Sequence, residues 1–165
     1  MTDEELKQLV ASLAIAQKQT DTIDELFDGI YQKTDDEICE EFFFQSFIKN
    51  PTLGNIKFDS VSRNLNNHIG DLQDEYDLVL INGDSLAVIE VKAKAHVNDL
   101  EKMITKKIVN FPKLFKIYKD FHLYAGVATL VTNDALIAKA KELGLFLLTQ
   151  QGDHTAIVQT GRLLH

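Results

Sequence analysis

Tyr76-Asp77-Leu78-Val79-Leu80-Ile81-Asn82-Gly83-Asp84-Ser85-Leu86-Ala87-Val88-Ile89-Glu90-Val91-Lys92 contains two apolar runs, 76–81 and 85–91, around a polar triplet. The runs are apolar at consecutive positions, the pattern of central strands covered on both faces. Asn82-Gly83 between them signals a hairpin, because both residues tolerate positive φ. Three ionisable residues interrupt the pattern: Asp77, Glu90 and Lys92. A two-residue turn at Asn82-Gly83 sets Asp77 across from Val88, whereas a four-residue loop sets it directly across from Glu90. Either even loop puts Asp77, Glu90 and Lys92 on one face, since side chains alternate with period two. A three-residue loop separates the carboxylates.

Charged side chains in strands this apolar require partners. Two neighbouring carboxylates repel and raise one another's pKa unless a cation lies between them. A hard cation such as Mg²⁺ or Mn²⁺ takes oxygen ligands and keeps several waters, so a few carboxylates and a phosphate suit it. A nearby lysine then orients the attacking water or offsets charge on phosphorus. The plainer reading is an ion pair where the strand ends meet solvent.

Upstream, Asp35 to Lys49 reads as a helix stopped by Pro51 and Gly54, residues 55–65 as a strand, and Asn66 to Glu75 as a polar loop. Downstream, Asn98 with Glu101 suggests a helix cap before the stripe Leu100, Ile104, Ile108, Phe111, Phe115 and Tyr118, with Pro112 kinking or dividing the helix. A strand fits 123–131, and a helix runs from Asn133 or Asp134 to Leu143 with Gly144 as its stop. Short strands at 145–148 and 156–158 flank a Gly152-Asp153 turn. The order is α/β, and the strands form a central sheet between helices.

The first thirty residues have a different pattern. Leu6, Leu9, Leu13, Ala16, Thr20, Ile23, Phe27 and Ile30 alternate three and four apart, the seam of a coiled coil. Residues 1–33 therefore read as a long oligomerisation helix and 34–165 as the catalytic-type domain. Packing of that helix on its own domain is the competing reading.

The net charge of −8 argues at first against a nucleic-acid partner. However, residues 1–50 hold 12 acidic and 4 basic side chains, the whole of that excess. Directly after Lys92 the segment 93–119 carries seven lysines against Asp99 and Glu101. On a helical wheel Lys102, Lys106 and Lys113 point outward as a stripe that can track phosphates, and Lys107 borders the core, the best placed to reach the site. Lys94 joins the same basic segment. The lone Cys39 reads as a small buried hydrophobe, and the five histidines lack ligand spacing. No apolar run approaches the ~20 residues of a membrane helix, and the acidic N-terminus is unlike a secretory or transit signal, so a cytoplasmic protein is expected.

Glu40-Glu41-Phe42-Phe43 on the first helix, Tyr76-Asp77-Leu78-Val79-Leu80 and Ile89-Glu90-Val91-Lys92 together resemble the PD-(D/E)XK nuclease-like superfamily over roughly residues 36–150. Tyr76 stands where the name-giving Pro would be. The resemblance implies a restriction-endonuclease-like αβββαβ core with a mixed sheet. It also implies Asp77 and Glu90 as metal ligands with Glu40 as a further one, Lys92 serving the attacking water, and Mg²⁺ or Mn²⁺ as cofactor. The expected activity is metal-dependent hydrolysis of DNA or RNA, with DNA ahead as partner. A silent nucleic-acid-binding or assembly module on the same fold is the alternative.

Overall fold

A computed structural model describes residues 2–11 and 34–165. Residues 3–11 are helical (α1). The remaining elements are α2 (Asp35–Lys49), β1 (Thr52–Leu53), β2 (Ile56–Lys57), β3 (Ser60–Ile69), β4 (Leu72–Ile81), β5 (Ser85–Lys92), α3 (Val97–Lys102), a π-helical turn (Met103–Lys107), α4 (Ile108–Leu114), a 3₁₀ turn (Lys116–Tyr118), β6 (His122–Thr129), α5 (Asp134–Leu143), β7 (Phe146–Gln151) and β8 (His154–Gln159).

Six strands form one mixed sheet in the order β3-β4-β5-β6-β7-β8. The β5–β6 and β6–β7 pairs are parallel and the other pairs are antiparallel. Helices cover both faces. On one, Leu86, Val88, Val79 and Val127 pack with Leu100, Met103, Phe111, Leu136 and Ala140 of the later helices. On the other, Leu78, Leu80, Ala87 and Ile89 pack with Cys39, Phe43 and Phe47 of α2. Consecutive residues of β4 and β5 thus enter opposite cores, which is why these strands read as unbroken apolar runs.

Local signals set several ends. Thr34 accepts the Glu37 N–H to start α2, and Asn133 accepts the Leu136 N–H to start α5. Gly144 closes α5 at φ 76°, a conformation that favours glycine.

Other expectations need correction. The polar stretch 66–75 is not a loop but the tip of the β3–β4 hairpin, paired out to Ile69↔Leu72 around Gly70-Asp71. One side of it is covered by the helices after β5, but through polar Asn67 and Asp74 as well as Leu72, so polarity did not mark a loop. The strand expected over 55–65 is divided between the small β1–β2 hairpin and β3. The helix after β5 starts at His96, whose N–H donates to Asp99 Oδ2 at 2.8 Å, and not at Asn98. Pro112 lies inside α4, and the irregularity is the π-turn before it, where the Ile108 N–H reaches back to Met103.

At the N-terminus Leu6, Leu9 and Val10 pack against the core cluster beneath α2, so the first two seam positions serve this domain. The seam positions from Leu13 to Ile30 lie outside the described residues. No described helix is long and apolar enough to cross a membrane.

Candidate active site

Asp77 and Glu90 meet where β4 and β5 part. The pairing Leu78↔Ile89, Val79↔Val88, Leu80↔Ala87 and Ile81↔Leu86 is the four-residue-loop register, which aligns Asp77 with Glu90. The turn itself differs from the one the sequence suggested. Neither Asn82 nor Gly83 has positive φ. Instead Asn82 Oδ1 accepts the N–H groups of Asp84 at 3.0 Å and Ser85 at 2.7 Å, a side-chain-closed turn.

Beyond Leu78↔Ile89 the two carboxylates replace the ladder. The Asp77 N–H donates to Glu90 Oε2 at 3.0 Å, and the Val91 N–H donates to Asp77 Oδ2 at 2.9 Å. On the other flank, Asn64 lies between the pairs Arg63↔Leu78 and Leu65↔Tyr76 with φ 54°. Asn is among the few residues other than Gly that visit this region readily. Tyr76 and Val79 then enter one core and Leu78 the other, so β4 changes face at Asp77. The fork opens a polar cavity of ≈ 560 Å³ lined by Glu37 and Glu40 of α2, Arg63 and Asn64 of β3, Glu75 and Asp77 of β4, and Lys107. Asp36 fixes α2 to this end of the sheet by accepting the Ala93 N–H at 2.7 Å.

Negative charge dominates the electrostatics. Burial, then the adjacent Asp77 charge, push the Glu90 carboxyl up to about 7, against the Asp77 N–H and Lys107. Burial also raises Asp77, while the Val91 N–H, Lys107 and Lys92 pull it down. Glu40 is raised mainly by burial, with Arg63 opposing.

The expected residues fare differently. Asp77, Glu90 and Lys107 come together: the Lys107 ammonium is 3.0 Å from Glu90 Oε1 and 2.8 Å from Asp74 Oδ1. Lys92 stands at the exposed end of β5, near enough for its charge to act on Asp77. Glu40 lines the cavity but gives its carboxylate to Arg63 at 3.0 Å, and Glu41 also pairs with Arg63. Lys94 is exposed and pairs with Asp3 at 2.9 Å. Lys102, Lys106 and Lys113 are exposed, as the wheel placed them. Cys39 is fully buried and its thiol is pushed up to about 12 by burial, so it is inert.

Sequence reasoning missed Arg63 and Asp74. Arg63 follows from the strand pairing, which carries it toward the acidic face of α2 twenty-three residues earlier. Asp74 had no signal beyond being a polar residue in a stretch taken for a loop.

Among the described residues no three Asp, Glu, His or Cys side chains form a group that could hold a metal ion. The Asp77–Glu90 pair is the nearest approach to one. Asp77 Oδ1 has no hydrogen bond among the described residues, and both carboxyls are raised by burial and unpaid negative charge. Two carboxylates could hold a hard cation only with water or phosphate oxygens completing its shell.

The sequence matches no protein-family model and no curated protein. Among solved structures, the crystal structure of protein VC1899 from Vibrio cholerae is similar over 69% of this chain at 19% identity and a TM-score of 0.46. This chain spans 29% of that one.

Proposed function

We propose that the chain is a metal-dependent phosphodiesterase of the PD-(D/E)XK type acting on nucleic acid, with DNA ahead of RNA. The observation that carries this reading is the fork itself. Asp77 lines a polar cavity, Glu90 accepts the Asp77 N–H from the facing strand while the Val91 N–H holds Asp77, and Lys92 stands two residues beyond Glu90. Asp77 and Glu90 would hold Mg²⁺ or Mn²⁺. Such an ion supplies Lewis acidity toward a phosphoryl oxygen. Lys92 orients the attacking water and offsets negative charge gathering on the phosphoryl oxygens. Water oxygen bonds to phosphorus as the opposite P–O ester bond breaks; the attacking water gives up a proton to solvent and the leaving oxygen takes one from it. Glu40 becomes a further ligand only if Arg63 releases it. With the small β1–β2 hairpin set aside, α2, β3, β4, β5, the following helices and β6 come in the αβββαβ order that a restriction-endonuclease-like core would need, which supports this reading.

Calorimetric titration with Mn²⁺ tests the site: binding is expected in the wild type and lost in Asp77→Ala and Glu90→Ala. Unchanged binding in those variants removes it. Plasmid, linear, branched and RNA substrates, cut by the wild type and not by Lys92→Ala, test catalysis.

One observation favours a second reading, a silent nucleic-acid-binding or assembly module. Glu90 and Glu40 are both ion-paired to protein cations, Lys107 and Arg63. Retention of nucleic acid with no cleavage of any substrate selects it. Under either reading we propose that residues 1–33 join copies of the chain through the seam positions beyond Leu9, since Leu6 and Leu9 pack on this domain. Sedimentation is expected to give a multiple of 18.6 kDa that falls to the monomer when those residues are removed.

A further inference from the structure

Lys107 enters the site from the π-helical turn Met103–Lys107. Such turns insert a residue into a helix and are frequent at functional positions. The Lys107 ammonium is held from several sides. It lies 2.8 Å from Asp74 Oδ1, 3.0 Å from Glu90 Oε1 and 5.1 Å from the centroid of the Tyr76 ring, and it donates to the Glu75 carbonyl. The Tyr76 hydroxyl donates to the Lys107 carbonyl at 2.8 Å. Asp74 is the more committed of its two carboxylates. It is 7% exposed, and it also accepts the Glu75 N–H at 2.9 Å and Asn110 Nδ2 at 3.3 Å. One cation is therefore shared between an anchoring carboxylate and a site carboxylate.

Resting on the reading of Asp77 and Glu90 as the cation-binding pair, we propose that Lys107, anchored by Asp74, is the resident counter-ion of the site. A divalent cation then binds by displacing its ammonium from Glu90 while the Asp74 contact is kept. The charges set the direction of exchange. Lys107 offsets one of two repelling carboxylates, whereas a divalent ion offers two charges to the same pair and makes the lysine redundant at Glu90. Asp74 has no such substitute. It is buried, and Lys107 is its cation among the described residues, so leaving it unpaired is the costlier step. Exchange consequently happens at Glu90. The displaced ammonium stays on the cavity wall, where it faces an anionic oxygen of a phosphate. Asp74 is thus a positioning residue, acting through Lys107.

The two partners must shift metal affinity in opposite directions, which a merely structural salt bridge would not do. Mn²⁺ calorimetry on the full chain in high salt tests this, with Lys106→Met controlling for general loss of positive charge. Lys107→Met removes the competitor and is expected to raise Mn²⁺ affinity about tenfold, the scale of one charged hydrogen bond. Asp74→Asn leaves Glu90 as the remaining carboxylate for the ammonium and lowers affinity several-fold. Lys106→Met changes nothing. If Lys107→Met fails to fold, Asp74→Asn/Lys107→Met, which leaves no buried charge unpaired at this pair, shows the same gain. Unchanged or weakened binding in the Lys107 variants, or a shift of Lys107→Met and Asp74→Asn in the same direction, overturns the counter-ion role. In that case the metal pair still stands if Asp77→Ala abolishes binding. No Mn²⁺ binding by the wild type overturns both.

Discussion

The Asp77 main-chain N–H donates to Glu90 Oε2 at 3.0 Å, so the two acidic residues are joined through backbone as well as facing each other. The Val91 N–H returns the bond to Asp77 Oδ2. Each carboxylate thus occupies the position of a ladder carbonyl, and the fork in the sheet is closed by charge rather than by peptide groups. Backbone donors offset part of the repulsion. Burial keeps both carboxyls raised all the same, with the Asp77 charge adding to it at Glu90.

A pH dependence follows from Glu90. Its carboxyl is raised from 4.5 to about 7 in the folded chain. Between those values the folded state binds a proton that the unfolded state has released, so stability falls as pH rises through that window. The loss is on the order of 1–3 kcal/mol for a largely buried carboxyl. Glu90→Gln mimics the protonated form and should flatten this slope, leaving the variant the more stable protein at pH 8. Denaturant melts from pH 4.5 to 8 without divalent ions check it. Parallel pH slopes for the two proteins would refute the assignment.

Arg63 ties β3 to α2 by pairing with Glu40 and Glu41 and by lying 5.3 Å from the centroid of the Phe44 ring. Glu40 is largely covered, its side chain 13% exposed. Arg63→Met leaves that carboxylate without its partner and should cost about 1–2 kcal/mol, the partial exposure of Arg63 keeping the figure modest. The melting temperature should fall by about 3–6 °C. Arg63→Met/Glu40→Gln should recover part of this. A single variant as stable as wild type means the ion pairs contribute nothing.

The β4–β5 turn separates two accounts of one sequence signal. Asn82 closes the turn with its side chain, accepting two N–H groups and donating to the Lys57 carbonyl at 2.9 Å. Gly83 has ordinary φ and open space around its Cα. Asn82→Ala should cost about 1–2 kcal/mol, whereas Gly83→Ala should stay within about 0.5 kcal/mol of wild type. Thermal melts of the two variants decide it. A larger penalty at Gly83 would restore the positive-φ turn.

What the sequence carried was set by range. The register of β4 and β5 is a local property of seventeen residues, so parity pointed to a shared face for Asp77 and Glu90, while the choice between Val88 and Glu90 as the residue opposite Asp77 needed the turn itself. Lys107 was reachable because a helical wheel needs only the neighbouring turns, though a wheel of constant pitch hides the π-turn. By contrast, Arg63–Glu40 and Asp74–Lys107 join residues 23 and 33 apart on different elements. Their pairing depends on where the β3–β4 hairpin lies against α2 and the π-turn, which no local pattern encodes. The hairpin tip was misread for a related reason: its covered face includes polar Asn67 and Asp74, whose partners Leu114 and Lys107 are distant in the chain, so it lacks apolar alternation.

The lysines after β5 give the last prediction. Lys102, Lys106 and Lys113 are exposed and make no hydrogen bond or ion pair with any described residue, so their charges are available to a polyanion. Lys94 differs, since Asp3 already lies 2.9 Å from it. If the three track a phosphate backbone, each contact releases counter-ions, and the slope of log K against log salt is about 0.9 per phosphate on duplex DNA. Replacing all three by Gln should weaken binding at low salt and reduce the slope by up to about 3, with stability unchanged within about 0.5 kcal/mol. Lys94→Gln should lower it by less than one unit, because the charge it removes is already compensated. Fluorescence anisotropy of a labelled duplex between 50 and 200 mM KCl is the measurement. An unaltered slope in the triple variant makes the stripe an ordinary solvated face and moves the nucleic-acid path elsewhere. Arg63 and Lys107 on the cavity wall and Lys92 at the end of β5 are then positive charges beside the fork.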